Sequence, residues 1–428
     1  MKLLTIRLFC VIIHINSLIF IYEVLIMNKI FCGIMGLVIG DAFGVPYEFQ
    51  HRGTFEVSDE MIGGGTHGQP VGTWSDDTSM VLASMNGYIK SVEKGSDLYK
   101  EMMTNFAKWY EFAFYTPYGE VFDMGCSTRN AIYKYRYEGK EPIKCGGKMD
   151  SDNGNGSLMR ILPFVFTNLG DKEIEEISSL THAHFKSKLC CKMYVKIGRR
   201  LIKGMPIDET VYKTAVDYQK ELKEIEGFTD FFDLKKLSKE QIKGSGYVVD
   251  TLKAALWCLI KTDNYRDCIK LAVSLGEDTD TVAAVAGGLA GIIYGCDGFD
   301  TDGENSGLSN NVGIPYDWYK VIVDKEDITE LCYAFFNVIR QVERDKYEDE
   351  SKFWYNDEIG KVIELLESAK NILDKKDKGY GSHIVTSESR LSSSLSEALK
   401  NAETIKVVGN VVKRKSSYNK KYIKFTRL

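Results

Sequence analysis

Apolar residues recur at helical spacing along most of the chain, whereas strand-like alternation of apolar and polar residues is scarce. This pattern predicts helices at residues 28–44, 80–92, 98–114, 127–137, 171–179, 186–203, 248–261, 267–275 and 281–294. Two stretches rich in glycine and polar residues, 51–73 and 151–157, are predicted to be loops. We therefore expect an all-α protein without a solenoid repeat.

The first of these helices has glycines on one face. Gly33, Gly36, Gly40 and Gly44 follow one another at spacings of three and four residues. Glycine destabilises a helix, so close packing or access to a site must compensate. We expect another backbone to approach this face closely.

The two ends of the chain differ in character from its middle. Residues 8–22 are mostly apolar and follow Lys2 and Arg7, as in a signal-peptide core or a short anchor, but Glu23 follows closely and no small-residue cleavage site is present. We expect residues 1–26 to be an extension that the protein does not need, and residues 27–373 to form the catalytic domain. Residues 374–428 are polar and basic, which favours a flexible tail over a nucleic-acid-binding arm.

The composition excludes several classes of protein. An apolar fraction of 44% and a charged fraction of 27% are those of a soluble globular protein, and a net charge of −5 is too small to indicate a polyanionic or membrane partner. The 10 cysteines include no Cys-x-x-Cys pair. We expect a reduced, cytoplasmic protein without a stable nucleic-acid partner, and the oligomeric state is left open.

Two short acidic motifs carry the strongest chemical signal. Residues 75–78 read Ser-Asp-Asp-Thr and residues 278–281 read Asp-Thr-Asp-Thr, each just before an apolar helix. Such motifs commonly cap helices, and taken singly each favours that interpretation. However, a helix needs one or two capping groups, and adjacent carboxylates repel one another unless cations neutralise them. Oxygen ligands of this kind suit Mg²⁺ or Mn²⁺.

Weaker signals come from three other segments. Residues 153–157 read Asn-Gly-Asn-Gly-Ser, a loop whose backbone N–H groups can approach an anion, although such sequences mostly form ordinary turns. Asp41 and Glu48 offer two more carboxylates beside the glycine-rich helix. His182 and His184 are more typical of core or surface histidines than of metal ligands.

Taken together, these segments resemble the ADP-ribosylglycohydrolase family. The resemblance rests on the ordered segments 40–48, 72–78, 122–129, 155–160, 181–182, 244–251, 278–281, 287–291 and 314–318, and it covers about residues 28–340. One departure is Glu277, where relatives often have glycine; it adds a carboxylate close to the expected metals. The tail beyond residue 374 lies outside the resemblance.

The resemblance implies a compact, multi-helix, all-α domain with two Mg²⁺ or Mn²⁺ ions in a central cleft. The metal ligands that it implies are Ser75, Asp76, Asp77, Asp278, Asp280 and Thr281. Glu48, Asp76 and Asp77 are the implied catalytic carboxylates, and which of them accepts the proton of the attacking water is left open. The implied substrate-binding residues are Asp123, Gly125, Asn155, Gly156 and His182.

The implied activity is hydrolysis of an N- or O-glycosidic bond to ADP-ribose, which releases ADP-ribose from a modified protein or small molecule. Two alternatives remain at this point. A family member without activity would serve a structural or ADP-ribose-binding role, although no expected metal ligand is missing here. A metal-dependent nucleotide phosphohydrolase would share the acidic residues. The acceptor to which ADP-ribose is attached cannot be identified from the sequence.

Overall fold

The described chain is mostly helical with few strands, as expected. A computed structural model describes residues 2–301, 303 and 311–349, with side chains in 23–301, 303 and 311–343. The helices of these residues are α1 Lys2–Gly44, α2 Asp76–Lys94, α3 Leu98–Phe112, α4 Cys126–Glu138, α5 Asp171–Ser179, α6 Phe185–Ile202, α7 Ile207–Asp217, α8 Gln219–Leu222, α9 Asp230–Asp233, α10 Val248–Lys261, α11 Tyr265–Val273, α12 Thr279–Tyr294, α13 Tyr316–Tyr319 and α14 Lys325–Asp349. Two short strands, β1 Cys296–Asp297 and β2 Ile314–Pro315, pair in parallel.

The chain divides into two compact units. One consists of Met1–Glu23 and Arg344–Leu428, and the described part of its backbone is helical at residues 2–23 and 344–349. The other, Val24–Glu343, contains the whole of the core described below. The predicted tail, 374–428, lies outside the described residues.

The first helix starts earlier than its predicted beginning at residue 28. It runs from Lys2, because no proline or glycine interrupts the chain before Gly33. Ile26 packs against the core and Met27 is buried, so the compact unit already includes residues just before Met27. Whether a chain that starts at Met27 is active stays a prediction.

By length and composition, one helical stretch among the described side chains, Glu23–Tyr47, could cross a membrane. Of its most apolar 18-residue window, 67% is buried inside the protein, and a core helix meets the same criteria.

The glycine face of α1 packs directly on α12, as the sequence predicts. A Cβ atom at Gly36 would collide with the carbonyl oxygen of Gly287, and one at Gly40 with that of Ala283. At Gly44 it would collide with the backbone of Asp280. The two helices therefore touch backbone to backbone, and this contact holds the end of α1 against the beginning of α12.

Helices α2 and α12 both begin at the acidic motifs. Ser75 is the N-cap of α2 and Asp278 is the N-cap of α12. α2 packs against α3, and α12 packs against α10 and α11 as well as α1. Five of the described helices, α7, α8, α9, α13 and α14, were not predicted from the sequence, and all five lie outside the segments that supply the expected site residues.

Candidate active site

The capping roles at the start of α2 are filled by Ser75 and Asp41. The Ser75 hydroxyl accepts a hydrogen bond from the backbone N–H of Asp77 at 3.3 Å. The buried Asp41 carboxylate accepts from the backbone N–H groups of Ser75 (2.9 Å) and Thr78 (3.0 Å) and from the Thr78 hydroxyl (2.6 Å). Asp41 is thus a second cap for α2. Capping therefore does not explain why carboxylates stand at Asp76 and Asp77.

The N-terminus of α12 shows the same surplus of carboxylates. Asp278 stands at the N-cap but makes no side-chain capping hydrogen bond; its Oδ2 accepts from Nδ2 of Asn155 at 2.8 Å. Asp280 Oδ1 accepts from the backbone N–H of Thr281 at 2.8 Å. Capping therefore explains little of the Asp-Thr-Asp-Thr motif.

The two acidic motifs meet in space, although 200 residues separate them. The Thr281 hydroxyl donates to Oδ2 of Asp77 at 3.1 Å. Among the described residues, Oδ1 of Asp77 and Oδ2 of Asp280 are buried without any hydrogen-bond partner. A buried carboxylate oxygen without a partner is costly, so these two atoms are suited to bind a cation.

We define the carboxylate cluster as Glu48, Asp76, Asp77, Asp278 and Asp280. The pKa values of its groups show the same lack of neutralising partners. Burial, followed by repulsion from neighbouring carboxylates, raises the pKa values of Asp76, Asp77 and Asp280 well above their usual range. Burial, then Asp123 and Asp278, raises the pKa of Glu48 to about 9. The protein itself does not neutralise these groups, whereas a divalent cation would.

Glu48 connects two groups of possible ligands. Its carboxylate, Asp278 and Asp280 have oxygen atoms within 4.8 Å of one another, and Glu48, His67 and Asp123 form a second such group. Nε2 of His67 lies 2.6 Å from Oε2 of Glu48. The sequence analysis missed His67, because a single histidine in a glycine-rich loop gives no signal until the fold brings it to Glu48.

The Asn-Gly loop, residues 153–157, borders the carboxylate cluster through Asn155. The amide of Asn155 donates to both Asp278 and the Thr251 hydroxyl, at 2.8 and 3.0 Å. The backbone N–H of Asn155 donates to the carbonyl of Gly246 at 3.0 Å, which ties the loop to the segment before α10. Gly156 is required here, because a Cβ atom would lie 2.8 Å from Cε1 of His182.

His182 is held beneath this loop by a short chain of hydrogen bonds. The Thr181 hydroxyl lies 2.9 Å from Nη2 of Arg160, which can only donate, and 2.9 Å from Nδ1 of His182. We assign the hydroxyl proton to the hydrogen bond with Nδ1, which places the ring proton on Nε2. Burial and Arg160 lower the pKa of His182 to about 3, so the ring is neutral.

The Nε2–H group of His182 faces the loop. A Cβ atom at Gly154 would lie 3.5 Å from Nε2. His184, by contrast, is the N-cap of α6, where its ring accepts from the backbone N–H of Lys186. Neither histidine of this segment belongs to the groups of possible metal ligands among the described residues.

Asp123 and Gly125 lie in the loop before α4. Asp123 is half-buried, has a positive φ of 53°, and approaches Glu48 and His67. Gly125 is the exposed N-cap of α4, and a side chain there would meet no other atom within 4 Å. The binding of substrate stays a prediction for Asp123, Gly125, Asn155, Gly156 and His182. The expected central cleft around two metals stays a prediction as well.

Glu277 does not lie where the sequence analysis expected it, close to the possible metal ligands. Its side chain is exposed and belongs to neither group of possible ligands among the described residues. Its φ is +65°, the left-handed conformation that glycine adopts most easily. Hydrogen bonds from Phe49 N to Glu277 O (2.7 Å) and from Glu277 N to Gln50 O (2.8 Å) fix this conformation.

The all-α fold thus gathers carboxylates from distant segments into one cluster, an arrangement suited to hydrolysis assisted by acidic side chains. Residues 24–345 match the family model described as ADP-ribosylglycohydrolase. The chain therefore belongs to the ADP-ribosylglycohydrolase family, and its activity is hydrolysis of the glycosidic bond to ADP-ribose.

Individual relatives support this assignment. The chain is 33% identical over 316 residues to the ADP-ribosylarginine hydrolase Tri1 of Pseudomonas putida (strain GB-1), over 72% of this chain and 78% of the relative. It is 30% identical over 274 residues to the ADP-ribosyl-[dinitrogen reductase] glycohydrolase of Rhodospirillum rubrum, over 61% of this chain and 84% of the relative. A solved structure titled ADP-ribosylglycohydrolase-related protein complex has a TM-score of 0.57 and 26% identity, and the match covers 73% of this chain and 99% of that chain.

Proposed function

We propose that this enzyme removes ADP-ribose from arginine side chains of modified proteins, with two Mg²⁺ or Mn²⁺ ions held by the carboxylate cluster. The observation that carries the proposal is the contact between the two acidic motifs through Thr281 and Asp77, together with buried oxygens of Asp77 and Asp280 that lack partners in the described residues. Relatives named as ADP-ribosylarginine hydrolases, from Pseudomonas putida and from Serratia proteamaculans (strain 568), support arginine as the acceptor.

The donor set fits these cations. Carboxylate and hydroxyl oxygens are the ligands that Mg²⁺ and Mn²⁺ prefer. We assign as ligands Ser75, Asp76, Asp77, Asp278, Asp280 and Thr281. When bound, such cations orient and acidify a water molecule at neutral pH.

We assign proton transfer to Glu48. Its carboxylate is buried and next to Asp278 and Asp280, while His67 contacts its Oε2 from the other side. Bound cations would lower the pKa of Glu48. A carboxylate so placed could then take the proton of the attacking water, and the imidazole of His67 could share that proton. Asp77 is less suited to this role, because one of its oxygens already accepts from Thr281.

The remaining residues are assigned to substrate orientation. The Asn155 amide fixes Asp278, and His182 holds its Nε2–H toward the Asn-Gly loop. The Nε2–H group of His182 can donate to the phosphate or ribose oxygens of ADP-ribose. Asp123 and Gly125 are assigned to the same part of the substrate.

The test incubates the purified full-length chain with Mg²⁺ and proteins carrying ADP-ribose on arginine or on serine, and measures free ADP-ribose. We expect release from arginine, loss of release with a chelator, and recovery with added Mg²⁺ or Mn²⁺. Release of AMP would indicate a phosphohydrolase. Cation binding without turnover on either protein would indicate a non-catalytic role, and preference for serine would refute the assigned acceptor.

A further inference from the structure

Cys32 and Cys296 lie against each other on the side of α1 that faces the end of α12. Their sulfur atoms are 2.7 Å apart, although the two residues are separated by 264 positions in the chain. Cys32 is buried and Cys296 is half-buried. Sulfur atoms without a shared bond do not normally pack so closely, whereas a disulfide requires about 2.05 Å between them.

The backbone enforces this proximity on both sides. A Cβ atom at Gly291 would collide with the carbonyl oxygen of Cys32, so the end of α12 touches α1 at that residue. Gly295 then turns the chain with φ +72° and ψ −159°, a conformation open essentially only to glycine. This turn leads into β1 and brings Cys296 back against α1. The pair is therefore held together by the fold and does not depend on the rotamers alone.

We propose that Cys32 and Cys296 form a reversible disulfide by exchange with a small-molecule disulfide. The Cys296 thiolate attacks one sulfur of the oxidant and releases one thiol. Cys32 then attacks the resulting mixed disulfide and releases the second thiol. The two protein thiols are oxidised by two electrons, the oxidant is reduced to two thiols, and the two protein protons go to those leaving groups.

The rate and the consequence of this exchange follow from the surroundings. Burial, then the hydrogen bond and charge of Cys32, raises the pKa of the Cys296 thiol well above its usual range. Thiolate is therefore scarce, and exchange should take about hours rather than seconds. Once formed, the bond closes a long loop and restricts the unfolded chain, so oxidation should raise the melting temperature. It would also lock the crossing of α1 and α12.

The experiment exposes the full-length protein to oxidised glutathione or to dithiothreitol, blocks free thiols with a maleimide, and maps peptides without reduction. We expect a crosslinked peptide pair containing Cys32 and Cys296, and a melting temperature higher by several degrees after oxidation. Dithiothreitol should reverse both. Cys296→Ser should abolish the crosslink and the rise in melting temperature. Cys332→Ser should change neither; Cys332 is a buried cysteine whose pKa is raised by burial and also by the charge of Cys32.

Two results would overturn the proposal. One is full maleimide labelling of Cys32 and Cys296 after oxidation of the wild-type protein. The other is a crosslink from Cys32 to Cys332, to Cys10 or to a second molecule. Peptide mapping of the wild type gives the answer even if a variant fails to fold.

Discussion

The carboxylate cluster and the Asn-Gly loop lie side by side, but they differ in how completely the protein satisfies their polar groups with hydrogen bonds. In the cluster, buried oxygens of Asp77 and Asp280 have no partner among the described residues. Burial, and then neighbouring negative charges, raise the pKa of both carboxylates. At the loop, Asn155 and His182 are held by hydrogen bonds from the protein itself. The cluster therefore leaves buried oxygens available to a ligand, whereas the loop residues are held in place by the protein itself.

The largest expected effect comes from the cluster. Asp280→Asn keeps the size of the side chain but removes one negative charge. If cations bind here, affinity for Mg²⁺ and turnover should both fall, turnover by about 100-fold or more, since a bound cation contributes several kcal/mol. Calorimetric titration and an assay of ADP-ribose release measure the two effects.

The matched control for this substitution is Glu277→Gln, which removes an exposed carboxylate three residues away and should leave both quantities nearly unchanged. A pure capping role makes a different prediction, because asparagine caps a helix about as well as aspartate. Equal cation affinity in the Asp280→Asn and wild-type proteins would therefore rule out the metal site.

The next effect concerns the hydrogen bonds under the loop. Thr181→Val keeps the shape of the side chain but removes the hydroxyl between Arg160 and His182. The ring should lose its preference for Nε2–H, and kcat/KM should fall roughly tenfold, the effect of one buried hydrogen bond. Thr181→Ser should restore both properties. Nitrogen NMR of the ring reports the tautomer, and a protonated Nδ1 in the wild type would contradict this arrangement.

A smaller effect is the pH dependence of stability without cations. Folding raises the pKa of Glu48 from 4.5 to about 9, so between these values the folded state binds more protons than the unfolded state. Stability contributed by the protonated form is therefore lost as the pH rises through this window. With a chelator, the melting temperature should fall between about pH 6 and pH 8. Saturating Mg²⁺ should reduce this slope, and an equal slope with and without Mg²⁺ would argue against neutralisation by cations.

The smallest effect should come from Glu277, at the border of the two regions. Its positive φ of 65° is unfavourable for a residue with a side chain. Glu277→Gly should relieve this strain and stabilise the protein by about 1 kcal/mol, partly offset by the greater freedom of glycine in the unfolded chain. Urea denaturation measures the change. Catalysis should be unaffected, and a marked loss of turnover would show that Glu277 takes part in the active site.

The helical pattern and the acidic motifs predicted the fold class and most helix positions to within a few residues, because α1, α2, α10 and α12 are strongly apolar on their buried faces. The glycine spacing of α1 even predicted the backbone contact with α12. The sequence could not show that Asp41 caps α2, since that requires two distant segments to meet. His67 was missed for the same reason, and helix α7 because its pattern of charged and apolar residues is short.

The contact between α1 and α12 has a consequence for attempts to change the specificity of this enzyme. Glu48 follows the end of α1 and Asp280 lies in the first turn of α12, while Gly36, Gly40 and Gly287 leave no room between the two helices. Substitutions along this interface would shift both halves of the reaction centre together. A library aimed at new acceptors should therefore leave these glycines fixed and vary exposed positions of the loops at residues 49–69 and 115–125 other than His67, Asp123 and Gly125.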